Sequence, residues 1–326
     1  MTLREQIGQL FMIGFTGTTV TKDLASFLTA SKPGGVIFFR RNLESVQQIV
    51  DLTNGLQKLS PAQPLLIAID QEGGRVSRLP AEFTIFPPCG QLGQCNSSEL
   101  AYSAAATIAK ELRAVGINMN MAPVLDVNSN PDNPVIGDRA FGAAPELVGE
   151  MGSATIGGLQ DNMVVACGKH FPGHGDTATD SHKELPVVDA GLQRLRDTEF
   201  PPFQQAIRYG VASLMAPATL SSAVIQRLLR EEFRYEGVVF TDDLEMHAII
   251  DHDGIGEAAV RSFVAGCDVL LICKDQDRVM TAMQAMERAV KDGRVTQERQ
   301  DQSLARVAKL KARYLHPYKP VTISDA

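Results

Sequence analysis

Residues 65–74 read Leu65-Leu66-Ile67-Ala68-Ile69-Asp70-Gln71-Glu72-Gly73-Gly74. Five apolar residues in a row end abruptly in two carboxylates and a glycine pair. A run this short and this continuous suits a strand buried on both faces, because a strand with one wet face alternates instead. Seven more such runs lie along the chain, at 10–15, 35–39, 117–123, 164–167, 212–215, 237–240 and 268–272. Helical periodicity fills many of the gaps. Residues 42–59 place Val46, Ile49, Val50, Leu52, Leu56 and Leu59 on one face. Stretches 98–115, 192–209, 221–233, 255–265 and 275–291 read similarly, and 296–314 is a last helix with no strand after it. Pro201 and Pro202 must kink or break the helix that holds them. Eight strands alternating with helices predict an α/β fold, a TIM-like (β/α)8 barrel in one domain over 1–316, with a tail at 317–326. An open doubly wound sheet is the competing layout, but no Gly-x-Gly-x-x-Gly opens a helix after a strand. The segment 71–96 is long and rich in Pro and Gly, so the third βα unit is expected to be irregular.

Composition narrows the function classes. The 326 residues carry 38 acidic and 31 basic side chains, a formal charge of −7. An acidic chain without a basic block argues against nucleic acid or an anionic membrane as partner. Five cysteines, none in Cys-x-x-Cys spacing, are expected to be reduced thiols. There is no signal-peptide pattern and no apolar stretch near the ~20 residues of a membrane span. The expectation is therefore a soluble, cytoplasmic protein.

In a barrel the chemistry sits where strands end. Four runs end in charge: Asp70 to Arg78 after 65–69; Asp126 and then Asp138-Arg139 after 117–123; Lys169 and His170 after 164–167; Asp242-Asp243 after 237–240. So much charge at strand ends needs partners or a ligand. The densest stretch is 168–186, GKHFPGHGDTATDSHKELP, with three of the chain's six histidines, His170, His174 and His182. Pro172, Gly173 and Gly175 make it a loop rather than a helix carrying a His-x3-His zinc pair.

These pieces resemble glycoside hydrolase family 3. KHFPGH followed by DSH, AIDQEGGRV, GDRAFG and VVFTDDLEM occur in the family's order between about Leu10 and Ala312, and look most like its single-domain bacterial β-N-acetylglucosaminidases of peptidoglycan recycling. The resemblance implies a retaining exo-β-N-acetylglucosaminidase that takes terminal N-acetylglucosamine from anhydro-muropeptides. Asp242 would be the nucleophile, forming a covalent glycosyl-enzyme. Asp243 is its competitor, with a buried or helix-capping role the alternative for it. An Asp180–His182 dyad would be the acid/base; histidine titrates near neutrality, and Asp180 would orient the ring. Asp70, Arg78, Arg139, Lys169 and His170 would line the sugar subsite. Arg75 reads as a salt-bridge partner of Glu72, Asp126 as either a contact or a support, and His174 as a brace for the loop. No cofactor or metal is implied, a carbohydrate is the only partner, and a monomer is expected.

One departure stands out. Relatives usually carry an Ala-His pair and a longer loop after the sixth strand, where this chain passes from Met215 to Ala216-Pro217-Ala218, so the leaving-group side is expected to be more open. Two rivals use the same residues: a metal-dependent barrel hydrolase built on His170, His174, His182, Asp176 and Asp242, and a non-catalytic sugar-binding descendant.

Overall fold

The computed structural model describes residues 1–175, 192–217 and 221–322, with the backbone alone over 247–253. The described residues build a closed barrel of eight parallel strands in sequence order. They are β1 (Phe11–Ile13), β2 (Gly35–Phe38), β3 (Leu66–Ile69), β4 (Met119–Asn120), β5 (Val165–Gly168), β6 (Ser213–Ala216), β7 (Val238–Asp243) and β8 (Val269–Ile272). Pairing of Phe11 with Leu270 closes the ring. All eight predicted runs supply a strand. Their apolar side chains are buried, as a parallel sheet covered by helices requires. The open sheet is excluded by closure.

The run at 117–123 yields the shortest strand, for a local reason. Pro123 has no N–H to add to a ladder. Two buried asparagine amides replace part of the backbone pairing with the preceding strand. Asn118 accepts from the Ile67 N–H and donates to the Leu65 carbonyl (2.9 and 3.1 Å), and Asn120 does the same for Gln71 (3.0 and 2.8 Å).

Helix starts follow side-chain caps. Ser45, Ser97, Asp275 and Thr296 each accept an N–H from the first turn of Val46–Lys58, Ser98–Ala114, Gln276–Lys291 and Gln297–Leu315. The predicted break at Pro201 and Pro202 takes the form of a π-helical turn, Leu195–Glu199. A fresh α-helix, Phe200–Tyr209, follows with both prolines in its first turn, where a missing N–H costs nothing. Helices Leu3–Gly8, Lys22–Ser31, Cys89–Cys95 and Pro145–Asp161 are additions to the sequence reading. The last holds four glycines, which weaken a helix signal. In the fold they permit contact: a Cβ on Gly158 would stand 2.3 Å from the Tyr102 carbonyl of helix Ser98–Ala114. After residue 316 the chain lies along Val46–Lys58, where Asn54 bonds both backbone groups of Val321 (2.8 and 3.1 Å). Among the described residues no helix is long and apolar enough to cross a membrane.

Candidate active site

A pocket of about 380 Å³ opens at the C-terminal ends of the strands, a volume in the range of small-molecule sites. Asp70, Arg78, Arg139, Lys169, His170 and Asp242 all line it. Asp180 and His182 lie outside the described residues, as does Asp176.

The electrostatic centre is Glu72, which the sequence reading did not place in the site. Arg139 grips it with two parallel bonds (Nε–Oε2 and Nη2–Oε1, both 2.9 Å). Lys169 Nζ stands 2.6 Å from Glu72 Oε1 and 2.7 Å from Asp70 Oδ1. Charges therefore alternate along Asp70, Lys169, Glu72 and Arg139, two of each sign. The Glu72 and Lys169 side chains are only 2 and 3% exposed. Burial alone would raise the Glu72 carboxyl, but the Lys169 charge and the Arg139 bonds overturn that and hold it at about 2. For Lys169, burial works toward the neutral amine, and Asp70 with Glu72 outweighs it and drives the ammonium's pKa up. The partner expected for Glu72 is corrected here. Arg75 bonds Asp138 (3.0 Å) and the Val135 carbonyl (2.6 Å) instead, because its side chain reaches out across the neighbouring loop while Glu72 turns inward.

Gln71 sets the position of Arg78. Its Oε1 accepts the Arg78 N–H (2.8 Å), and its Nε2 donates to Ser77 Oγ (2.9 Å). Arg78 Nε is buried with no partner among the described residues, a donor open to a ligand.

Asp126 is a support rather than a contact. It is fully buried and absent from the pocket lining. Its carboxylate accepts His170 Nδ1 (2.6 Å) and the backbone N–H groups of His170 (3.2 Å) and His174 (2.8 Å). Burial opposes its ionised form, but His170 more than offsets this, so its pKa lies below the ordinary carboxylate value. With Nδ1 committed to Asp126, His170 is left with Nε2 for the pocket. His174 packs edge-on to His170 at 5.9 Å between ring centres, and burial lowers its pKa. It both braces the loop and lines the pocket. Gly175 is required for close approach: a Cβ there would stand 1.6 Å from the Val127 carbonyl oxygen.

Asp242 and Asp243 end β7, and both border the pocket half-buried. The Asp243 N–H donates to Asp242 Oδ1 (2.8 Å). The Asp243 carboxylate caps the next turn through Glu245 N (3.0 Å) and reaches Cys273 N (3.3 Å). Asp243 thus closes a turn rather than capping the helix His247–Ala265, whose cap position, Met246, makes no side-chain bond, so the helix-capping alternative is not the geometry found. Met215 lines the pocket, and residues 218–220 of the connection after β6 lie outside the described part. Among the described residues no group of three His, Cys, Asp or Glu side chains is placed to hold a metal ion.

Comparison with known proteins gives this geometry a context. The Glycosyl hydrolase family 3 N terminal domain matches residues 2–310. A β-hexosaminidase of Nitrosomonas eutropha is 37% identical over 319 residues, covering 92% of this chain and 91% of the relative. One of Thioalkalivibrio sulfidiphilus is 34% identical, covering 96 and 92%. The solved glycoside hydrolase family 3 β-N-acetylglucosaminidase of Paenibacillus sp. str. FPU-7 superposes with a TM-score of 0.94 at 46% identity, over 96% of this chain. This chain spans 63% of that protein's chain. A match over nearly the whole barrel, together with relatives of comparable length, makes this chain a member of glycoside hydrolase family 3, an enzyme of its β-hexosaminidase branch.

Proposed function

We propose that the protein is a retaining exo-β-N-acetylglucosaminidase, acting in the cytoplasm as a monomer on terminal β-linked N-acetylglucosamine of anhydro-muropeptides. The observation that supports it most is the placement of Asp242. Its carboxylate stands at the end of β7 on the rim of a pocket whose central charges, Asp70, Lys169, Glu72 and Arg139, are already paired. Asp70 and Glu72 are neutralised by Lys169 and Arg139, which leaves Asp242 and Asp243 as the carboxylates without an ion pair among the described pocket residues, and Asp243 Oδ1 is already taken up by the N–H groups of Glu245 and Cys273.

In this reading Asp242 attacks the anomeric carbon while the bond to the leaving oxygen breaks. His182, oriented by Asp180, donates a proton to that oxygen. Water then attacks the glycosyl-aspartate, its proton passes to His182, and Asp242 leaves. The net change is one water consumed and one glycosidic bond cut with retention. Asp70, Arg78, Arg139, Lys169 and His170 hold the sugar hydroxyls. The narrow Lys169 bridge makes that frame rigid, because moving either carboxylate strands a buried ammonium.

The test is trapping with a slow fluorinated N-acetylglucosaminyl donor, followed by peptide mapping. The label is expected on Asp242, and Asp242→Asn is expected to lose at least about 10³-fold in turnover while staying folded. A label on Asp243, or an active Asp242→Asn enzyme, refutes the assignment. Faster hydrolysis of plain β-glucosides than of N-acetylglucosaminides refutes the substrate class.

A further inference from the structure

The inference concerns the residue beside the proposed nucleophile and rests on that reading of Asp242. The pairing of β7 with β8 slips. Phe240 faces Val269, but Asp243 faces Leu271, three steps on one strand against two on the other. That is a bulge at the strand end, a device that re-aims side chains next to active sites. It brings consecutive residues, Asp242 and Asp243, to the border of one pocket, where regular alternation would send them to opposite faces.

A bulge also interrupts the ladder, and the N–H groups opposite it need acceptors. Side chains provide them. Thr241 Oγ1 accepts from Leu271 N (2.9 Å), and Asp243 Oδ1 accepts from Cys273 N (3.3 Å). The same Asp243 oxygen accepts from Glu245 N (3.0 Å), closing the turn that follows. Backbone adds one bond, from Leu244 N to the Leu271 carbonyl (2.9 Å). One carboxylate oxygen thus joins the end of β7, the turn after it and the end of β8. The peptide it steadies is the one whose N–H donates to Asp242 Oδ1 (2.8 Å).

We infer that Asp243 is a positioning residue: its carboxylate clasps the bulge to the end of β8, and its N–H holds one oxygen of Asp242 so that the other faces the anomeric carbon. The clasp needs an acceptor oxygen rather than a negative charge. Burial pushes this carboxyl up to about 6, helped by the nearby charges of Glu245 and Asp242, so the neutral form already comes within reach of mildly acidic pH. The amide of asparagine keeps the acceptor; alanine removes it.

The experiment compares wild type, Asp243→Ala and Asp243→Asn as full chains, with 4-nitrophenyl N-acetylglucosaminide kinetics, thermal melts and fluorinated-donor labelling. Misplacing a reacting group by a fraction of its contact distance costs on the order of 10- to 100-fold, so kcat of Asp243→Ala should fall by that factor with KM within about threefold. Asp243→Asn should recover kcat to within about threefold of wild type. The label should reach Asp242 in all three proteins, most slowly in Asp243→Ala. An Asp243→Ala enzyme whose kcat, corrected for folded protein, equals wild type overturns the inference. So does an asparagine variant as impaired as alanine. A label on Asp242 in those cases leaves the nucleophile assignment standing; a label elsewhere overturns that assignment and this inference together.

Discussion

Lys169 has an ammonium between two carboxylates, and Glu72 has a carboxylate between two cations. Neither residue is replaceable by a neutral isostere without stranding its neighbours. Glu72→Gln leaves Arg139 and Lys169 buried with one acceptor fewer and a net positive charge. Breaking a buried pair from one side typically costs about 3–5 kcal/mol. The pH dependence has a definite sign. The folded Glu72 carboxyl lies at about 2, below its ordinary 4.5, so its contribution is present above 4.5 and is lost as pH falls toward 2. A shift of that size corresponds to about 3 kcal/mol, in line with the pair-breaking cost. Urea unfolding of Glu72→Gln is therefore expected to show lower stability at pH 7 and a flatter fall between pH 5 and 2. Equal stability, or an unchanged acid slope, would remove Glu72 from the centre of the network. Asp243 works in the opposite sense: its raised pKa gives stability below the unfolded value that is lost as pH rises through about 6.

Among elements, the loop after β5 draws its order from residues far away in sequence. Asp126 takes the His170 and His174 N–H groups, and the Asn133 amide donates to the carbonyls of His174 (2.8 Å) and Gly175 (3.0 Å). Its start, as far as Gly175, is thereby anchored to the segment after β4. The proposed acid/base, His182, follows within the same connection. His182→Ala is expected to slow turnover most with poor leaving groups, which need protonation in the transition state. General acid–base help is typically worth about 10²–10⁴-fold. With activated aryl leaving groups the glycosyl-enzyme should still form and its breakdown should limit, so stopped-flow traces should show a burst, and azide should restore turnover. Uniform slowing for all leaving groups, with neither burst nor azide rescue, would shift the role to His174 or His170.

For the molecule as a whole, closure of the barrel is reinforced at the end opposite the pocket. Asp268, fully buried just before β8, accepts from Arg230 (2.5 Å), Arg306 (3.0 Å), Ser303 (2.6 Å) and the Val239 N–H (3.0 Å). Arg299 lies 3.4 Å away. One carboxylate thereby joins β7, β8, the π-helical segment Ala223–Glu232 and the last helix. Asp268→Ala removes the acceptor and leaves neighbouring guanidinium groups at a buried site. It is expected to destabilise by about 3–5 kcal/mol while the folded fraction keeps its kcat, because the pocket is at the other end of the strands. Thermal melts and active-site titration separate the two effects. A melting temperature equal to wild type, or a loss of kcat in the folded fraction, would contradict this placement.

The sequence by itself determined the barrel and the rim of its pocket. Eight apolar runs ending in charge are local patterns, and burial on both faces selects Val, Ile, Leu and Phe for strands wherever the chain is read. Asp70, Arg78, Arg139, Lys169, His170 and Asp242 were legible for the same reason: each follows such a run or sits in a motif carried over by resemblance. Tertiary structure alone decided the pairings. Glu72 and Arg139 are 67 residues apart, and Asp70 and Lys169 are 99 apart. Which cation meets which carboxylate depends on the order and stagger of the closed strands, so Arg75, three residues from Glu72, lost to partners on other loops. The β7–β8 bulge and the part of Asp126 in holding the His170 loop were hidden likewise. The glycine-rich helix Pro145–Asp161 belongs with them: its propensity is poor, and its stability comes from the close packing that those glycines allow.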